Sequence, residues 1–119
     1  MLTSRDRKVI KSVGNHIMLT NKQIIKLHFH SYQVLQRRLR RELQDKYLKN
    51  WYLDNNSKGR GLPVYYLNEK GAKLYKEITD QNYNDITKSD ERIKELIFIN
   101  DLIIDLKEKE IINSFEINP

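Results

Sequence analysis

The most regular pattern of apolar and polar positions in the chain lies in residues 31–46. Leu35, Leu39 and Leu43 recur at every fourth position, as on the buried side of an amphipathic helix. Ser31 can cap the first turn, because its hydroxyl accepts a hydrogen bond from a backbone N–H that has no partner inside the helix. The pattern therefore predicts a helix over residues 31–46 with one apolar and one polar side.

Two shorter helices are predicted upstream of this one. Thr3 or Ser4 can cap a first helix that ends near His16. Thr20 and Gln23 fit a capping box, in which each side chain bonds the backbone N–H of the other, and this predicts a second helix to about residue 28. Only a short turn then separates the second and third helices, as a helix-turn-helix requires.

The pattern changes to that of strands after the third helix. Residues 47–53 and 64–67 are rich in aromatic side chains, and residues 54–63 between them contain two Gly, two Asn and one Pro. We therefore predict a β-hairpin with a long tip. A short extended piece is also expected at residues 17–19.

A fourth helix is predicted over residues 69–78, with Asn68 as its cap. Three helices followed by a hairpin is the element order of a winged helix-turn-helix. We expect residues 1–78 to form such a domain, in a fold class that is mainly α with a small β-hairpin (α+β).

The remaining residues form an extra C-terminal element. Residues 79–89 are polar and are expected to be a linker, and a fifth helix is predicted over about residues 90–107. This helix is apolar over more than half of its circumference, so one small domain cannot cover it. Residues 111–117 alternate and predict a terminal strand. Within residues 90–119 we expect oligomerisation or partner docking, with homodimer contacts at Ile93, Ile97, Ile99, Leu102, Ile103 and Leu106.

Charge is unevenly distributed along the chain, whose net charge is +6. Residues 1–78 hold 17 Lys and Arg against 6 Asp and Glu, whereas residues 79–119 hold 5 against 10. A basic N-terminal part followed by an acidic C-terminal part indicates that residues 1–78 bind a polyanion. The polar side of the third helix is built from Arg and Gln, which can bond phosphates and the edges of guanine and adenine through two groups at once.

These features predict that the third helix enters the major groove of double-stranded DNA. The early outward residues would read base edges, and the other cations would hold phosphates, which position a protein without reading sequence. The base-reading candidates are Gln33, Gln36 and Arg37; the candidate phosphate contacts are Arg38, Arg40 and Arg41 on the same helix, Lys58 and Arg60 at the hairpin tip, and Lys22 and Arg5 on the earlier helices.

Composition excludes several other classes of protein. Cysteine is absent, which excludes disulfides and cysteine metal sites. The N-terminus has no apolar run typical of a signal peptide, and charged residues interrupt the longest apolar-rich segment, so no membrane span is expected. We expect a cytoplasmic protein that needs no cofactor or metal.

One motif points to a rival function. His28-Phe29-His30 has the His-hydrophobic-His form of rolling-circle initiators and relaxases, in which two imidazoles bind a metal beside a nucleophilic Tyr. In those enzymes the motif lies on a strand, whereas here it falls at the end of a short predicted helix. Two His side chains also cannot complete the ligand set of a metal. We interpret the motif as a turn between helices, and we expect no enzymatic activity and no catalytic residue.

The chain also resembles a known family. Residues 2–7, 19–24, 36–41 and 65–71 are similar to segments of the replication-relaxation family, proteins of bacterial plasmids, phages and integrative elements. The resemblance covers roughly residues 2–78, and a weaker similarity is present in the fifth helix. It implies DNA binding in the replication, transfer or gene control of a mobile element, in association with the nucleoid or plasmid. Longer members continue into a region that resembles a nuclease, which these 119 residues do not contain.

Two functions remain open at this point. The first is a sequence-specific DNA-binding protein that acts as a transcriptional regulator or as an accessory factor of replication or transfer. The alternative is a protein-interaction module that docks on a replication or transfer protein without reading DNA. Salt-dependent binding of duplex DNA would indicate the first function, and salt-insensitive association through residues 90–117 would indicate the second.

Overall fold

The computed structural model describes residues 2–28, 31–44, 46–53, 62–84 and 89–117. In these ranges the chain is mainly helical with a small antiparallel sheet, which confirms the predicted fold class. The elements in chain order are α1 (Ser4–His16), β1 (Leu19–Thr20), α2 (Asn21–His28), α3 (Tyr32–Arg38), a π-helical segment (Leu39–Leu43), β2 (Leu48–Leu53), β3 (Leu62–Leu67), α4 (Glu69–Thr79) and α5 (Asp90–Ile117).

The helices begin at the capping residues that the sequence indicates. In α1, the Thr3 hydroxyl accepts a backbone N–H of the first turn at 3.1 Å. The Ser31 hydroxyl does the same for α3 at 3.3 Å, and the Asn68 amide oxygen for α4 at 2.8 Å. Ahead of α2, the Thr20 N–H donates to Gln23 Oε1 at 2.9 Å and the Gln23 N–H donates to Thr20 Oγ1 at 3.2 Å. These caps satisfy backbone donors that would otherwise be unpaired.

The sheet has three strands in the order β1-β3-β2, all antiparallel. β2 and β3 form the predicted hairpin, with Leu48 opposite Leu67 and Leu53 opposite Leu62. Of the extended piece expected at residues 17–19, only Leu19 lies in a strand. It forms β1 with Thr20 along the other edge of β3, whereas Ile17 has a φ of 72° and belongs to the turn after α1. The hairpin tip, with its predicted contacts Lys58 and Arg60, lies outside the described residues.

A stripe of three leucines packs α3 and the π-helical segment against the core of the domain. Leu35, Leu39 and Leu43 are at most 1% exposed and pack in the core with apolar residues of α1, α2, β2 and β3. Burying each of these side chains stabilises the fold by roughly 1.5–3 kcal/mol. The predicted apolar side of α3 is therefore confirmed, and it determines which residues of the helix face solvent.

The third helix departs from the prediction in its second half. It is α-helical to Arg38 and then widens into the π-helical segment, in which the Gln44 N–H donates to Leu39 O at 2.8 Å. Residues four apart drift by about 40° around an ideal α-helix. The wider turn rotates the chain in the opposite sense, so Leu43 returns to the same buried side before the chain turns into β2.

The prediction of a terminal strand at residues 111–117 is wrong, because the backbone there continues α5 to Ile117. The apolar residues of this stretch also recur at positions i, i+1 and i+4, so a helical period fits them as well as alternation does. Short segments of this kind are ambiguous, and here the preceding helix simply continues. None of the described helices is long and apolar enough to cross a membrane.

α5 packs on α2 and on the turn before β1 through both apolar and polar contacts. Ile93 and Ile104 are buried against the body. The Gln23 amide donates to Ile97 O at 3.0 Å and to Asp101 Oδ1 at 2.8 Å, and Lys26 pairs with Asp105 at 2.7 Å. The C-terminal helix is thus attached to the helix that directly precedes α3.

Candidate nucleic-acid interface

The outward side of α3 and the π-helical segment forms a basic surface. Of the described residues that line its open depression of about 420 Å³, every charged one is an arginine. Because the leucine stripe is held in the core, these side chains point away from it. Together they can present guanidinium and amide groups to an anion. We call this set the arginine surface: Tyr32, Gln33, Gln36, Arg37, Arg40 and Arg41.

The base-reading candidates differ in how freely they are presented. Gln33 and Arg37 are exposed, whereas Gln36 is half-buried and donates through Nε2 to the Tyr32 hydroxyl at 2.5 Å. This bond spans one turn of α3 and orients the Gln36 amide. Gln33, Gln36 and Arg37 therefore lie together on one side of the helix, as their spacing predicts.

Arg38 is directed to the opposite flank, toward the start of α1. Its Nε donates to Asp6 Oδ1 at 3.0 Å, and its Nη2 forms an ion pair with Asp6 Oδ2. Asp6 is fully buried and also accepts the Thr3 N–H at 2.9 Å. Burial by itself raises the pKa of the Asp6 carboxyl, but the bonds from Arg38 and Thr3 outweigh it and hold that pKa below its usual value. Arg38 thus ties α3 to the N-terminus of α1, and a phosphate would have to compete with a buried carboxylate for it.

The other predicted phosphate contacts are dispersed. Arg5 is exposed on the first turn of α1. Lys22 is exposed at the start of α2, in a depression that also contains Asp101 and Asp105 of α5. Lys22 therefore lies in a mixed-charge environment, unlike the arginines of α3.

A second basic cluster was missed from the sequence. Lys46 and Lys49, beside the start of β2, and Lys70 and Lys73 on α4 line an open depression of about 630 Å³, together with Asn68 and Glu69. The spacing of three residues within each pair is visible in the sequence. Only the fold brings the two pairs together, because the Asn68 N–H donates to Tyr47 O at 3.0 Å and so holds α4 beside the turn that leads into β2.

His28, the first histidine of the His28-Phe29-His30 motif, forms a hydrogen bond between two helices. His28 Nε2 and the Ser12 hydroxyl share a hydrogen bond of 2.6 Å, which joins the end of α2 to α1. Burial, and then the nearby side chains of Lys8, His16 and Arg5, lower the pKa of His28 to about 4. Phe29 and His30 lie outside the described residues. Among the described residues no group of three or more His, Cys, Asp or Glu side chains is placed to hold a metal.

The predicted dimer contacts divide between two sides of α5. Ile93 is fully buried and Ile97 is half-buried, and both pack on the body near Met18 and Val64. The remaining residues lie with Phe98 on the outer side of the helix, where between 37% and 64% of each side chain is exposed. We call this set the apolar face of α5: Phe98, Ile99, Leu102, Ile103 and Leu106.

Comparison with known proteins agrees with the resemblance drawn from the sequence. A family model described as replication-relaxation matches residues 10–116, which extends from α1 through nearly all of α5. No curated protein and no solved structure was found to match the chain. The match includes α5, so this helix is part of the region that members of the family share. The chain therefore belongs to the replication-relaxation family, which implies a role in the replication or mobilisation of a plasmid or another mobile element.

Proposed function

We propose that this chain binds double-stranded DNA through the arginine surface and serves a mobile element as a transcriptional regulator or as a replication or transfer accessory factor, without enzymatic activity. The observation that carries the proposal is the orientation of α3. Leu35, Leu39 and Leu43 are buried, so Arg37, Arg40 and Arg41 are presented together on the outside. Guanidinium groups grouped on one helix suit phosphate and guanine recognition.

The element order supports a winged helix-turn-helix as the frame for this interaction. α2 and α3 are separated by a short connection, and the β2–β3 hairpin follows them. In this arrangement α3 would lie in the major groove, with Gln33, Gln36 and Arg37 toward base edges. Arg40 and Arg41 would hold phosphates, and the hairpin tip would reach the adjacent backbone or minor groove.

We expect the double variant Arg37→Ala/Arg41→Ala to bind a selected duplex at least tenfold more weakly than the wild type. Each lost phosphate contact reduces the slope of log affinity against log salt by about 0.9. The measurement is a fluorescence anisotropy titration at several salt concentrations, with a duplex selected from a random pool. The matched control is Arg7→Ala/Arg92→Ala, which removes two exposed arginines of α1 and α5 that lie outside the arginine surface. Equal affinities and slopes for the double variant and the wild type would contradict the proposal.

The apolar face of α5 supports a second proposal, that two copies of the chain associate through it. Contiguous exposed apolar patches of large side chains often mark protein–protein interfaces. Ile99, Leu102 and Leu106 follow the alternating spacing of three and four residues that is typical of helix pairs. Glu95 and Lys109, both exposed, flank Leu102 at equal separations. An antiparallel two-fold pairing centred on Leu102 would therefore place each Glu95 near the Lys109 of the partner, so a second copy fits this face in both apolarity and charge.

We expect Leu102→Asp to convert a dimer into a monomer, because the carboxylate would be buried against the same group of the partner. Light scattering at micromolar concentration measures the mass. Lys94→Asp is the control, since Lys94 is exposed on α5 but lies outside the apolar face. A wild-type chain that is monomeric at these concentrations would refute self-association and would favour docking on a different protein.

A further inference from the structure

The second basic cluster lies outside the arginine surface of α3. We call its four residues, Lys46, Lys49, Lys70 and Lys73, the lysine cluster. Lys46, Lys49, Lys70 and Lys73 surround one open depression of about 630 Å³, in which Glu69 is the acidic residue described. Lys70 and Lys73 are three positions apart on α4 and therefore lie on the same side of that helix.

The lysine cluster is joined to the arginine surface. The Lys46 ammonium donates to Arg41 O, within the π-helical segment, at 3.2 Å, and Lys46 also lines the depression with the other three lysines. The Lys70 ammonium lies 5.0 Å from the centre of the Tyr47 ring, which keeps it over this turn. Lys46 therefore connects the backbone of the segment that carries Arg41 with the lysines of β2 and α4.

The side chains of the cluster indicate what kind of anion it suits. Lysine carries a compact, well-hydrated charge on a flexible stem, which suits phosphate oxygens but lacks the fixed fork that reads a base edge. The depression is wide and open and has few apolar side chains, so it does not resemble a pocket for a small organic ligand. A phosphodiester backbone that passes over the surface matches these properties.

We propose that the lysine cluster binds the phosphate backbone of the same DNA duplex outside the segment read by α3, and so lengthens the protein's footprint without adding sequence specificity. This inference rests on the proposed function, because it takes the arginine surface and the adjoining lysine cluster to contact one polyanion. It predicts that affinity depends on duplex length as well as on duplex sequence. Both contributions are electrostatic, but they come from different residues.

The test compares two duplexes that share the selected site. One is about one and a half helical turns long, and the other extends the site by about one turn on each side. We expect the wild type to bind the long duplex roughly tenfold more tightly than the short one, through the added phosphate contacts. Lys49→Gln/Lys73→Gln should abolish this difference and leave affinity for the short duplex within twofold. Arg37→Ala/Arg41→Ala should weaken binding to both duplexes.

The matched control is Lys11→Gln/Lys94→Gln, which removes the same charge from exposed sites on α1 and α5 that lie outside both basic surfaces and outside the apolar face of α5. It should keep the length dependence, and melting curves should show all variants folded. Equal losses on both duplexes in the Lys49/Lys73 variant would overturn the flanking contact while leaving the role of the arginines intact. Capture of a second labelled duplex through the lysines would overturn the assignment to one duplex. Failure of the wild type to bind either duplex would overturn the proposed function itself.

Discussion

Replacing Arg38 by Met should lower the free energy of unfolding by about 3 kcal/mol, because it leaves a buried carboxylate without its cation. Asp6 is fully buried, and its pKa is held below the usual value by the bonds from Arg38 and Thr3. Arg38 itself is about a quarter exposed, at 24%, which places the expected loss at the lower end of the range for buried pairs. Chemical denaturation at neutral pH, followed by circular dichroism, measures the effect.

Two further variants separate the ion pair from the general effect of changing an arginine. Arg41→Met, on the arginine surface, should change the free energy of unfolding by no more than about 0.5 kcal/mol. In a chain that also carries Asp6→Asn, the Arg38→Met change should cost much less, because no charge is left buried. If Arg38→Met cost the same in the wild-type chain and in the Asp6→Asn chain, the ion pair would not stabilise the fold.

The sequence predicts the outward side of α3 well, because helical spacing decides it locally. Leu35, Leu39 and Leu43 define the buried side, and Arg37 and Arg41 follow on the other. Arg38 lies at the boundary between the buried and the outward side of α3. At this position helical spacing does not indicate whether a side chain faces solvent or the core. Its direction depends on a partner far away in sequence, the carboxylate of Asp6, and no local pattern contains that information.

Non-local contacts explain the lysine cluster that the sequence did not indicate, and an ambiguous local pattern explains the terminal strand that was predicted wrongly. The lysine cluster forms because α4 packs beside the turn before β2, and neither segment shows the cluster alone. The terminal strand was predicted from seven residues whose apolar spacing fits a helix equally. The apolar excess of α5 was visible in the sequence, but the structure was needed to divide its residues, with Ile93 inside and Phe98, Leu102 and Leu106 outside.

The polar residue Asn100 of α5 was also not recognised as structural. Its side chain is 2% exposed, and its amide donates to His16 O at 3.1 Å and to Met18 O at 2.8 Å, while His16 Nδ1 donates to Asn100 Oδ1 at 3.1 Å. These bonds enclose Ile17, which ends α1 with a φ of 72° and a ψ of −51°. A β-branched residue in this region is strained by about 1–3 kcal/mol. The Met18 N–H donates to His16 O at 2.8 Å and closes a tight three-residue turn.

We expect Asn100→Leu to lower the free energy of unfolding by about 3 kcal/mol, because Met18 O and His16 Nδ1 would be left buried without this partner. Leu has the same branching and the same number of side-chain heavy atoms as Asn, so no cavity is created and the lost hydrogen bonds cause the effect. Chemical denaturation again gives the measurement. Asn82→Leu, at an exposed position, is the matched control and should be nearly neutral.

A double-mutant cycle with Ile17→Gly tests whether Asn100 holds the strained turn as well as bonding to it. Glycine adopts positive φ without a steric penalty, so in the wild type this change releases strain that partly offsets the lost contacts of Ile17. When Asn100 is replaced by Leu, the turn loses the bonds to His16 O and Met18 O and keeps the bond from the Tyr83 hydroxyl to Ile17 O at 2.6 Å. It can therefore relax further, and less strain remains to be released. Ile17→Gly should therefore cost about 1 kcal/mol more in the Asn100→Leu chain than in the wild type. Strict additivity would mean that the turn keeps its geometry without Asn100, and that α5 contributes only the hydrogen bonds.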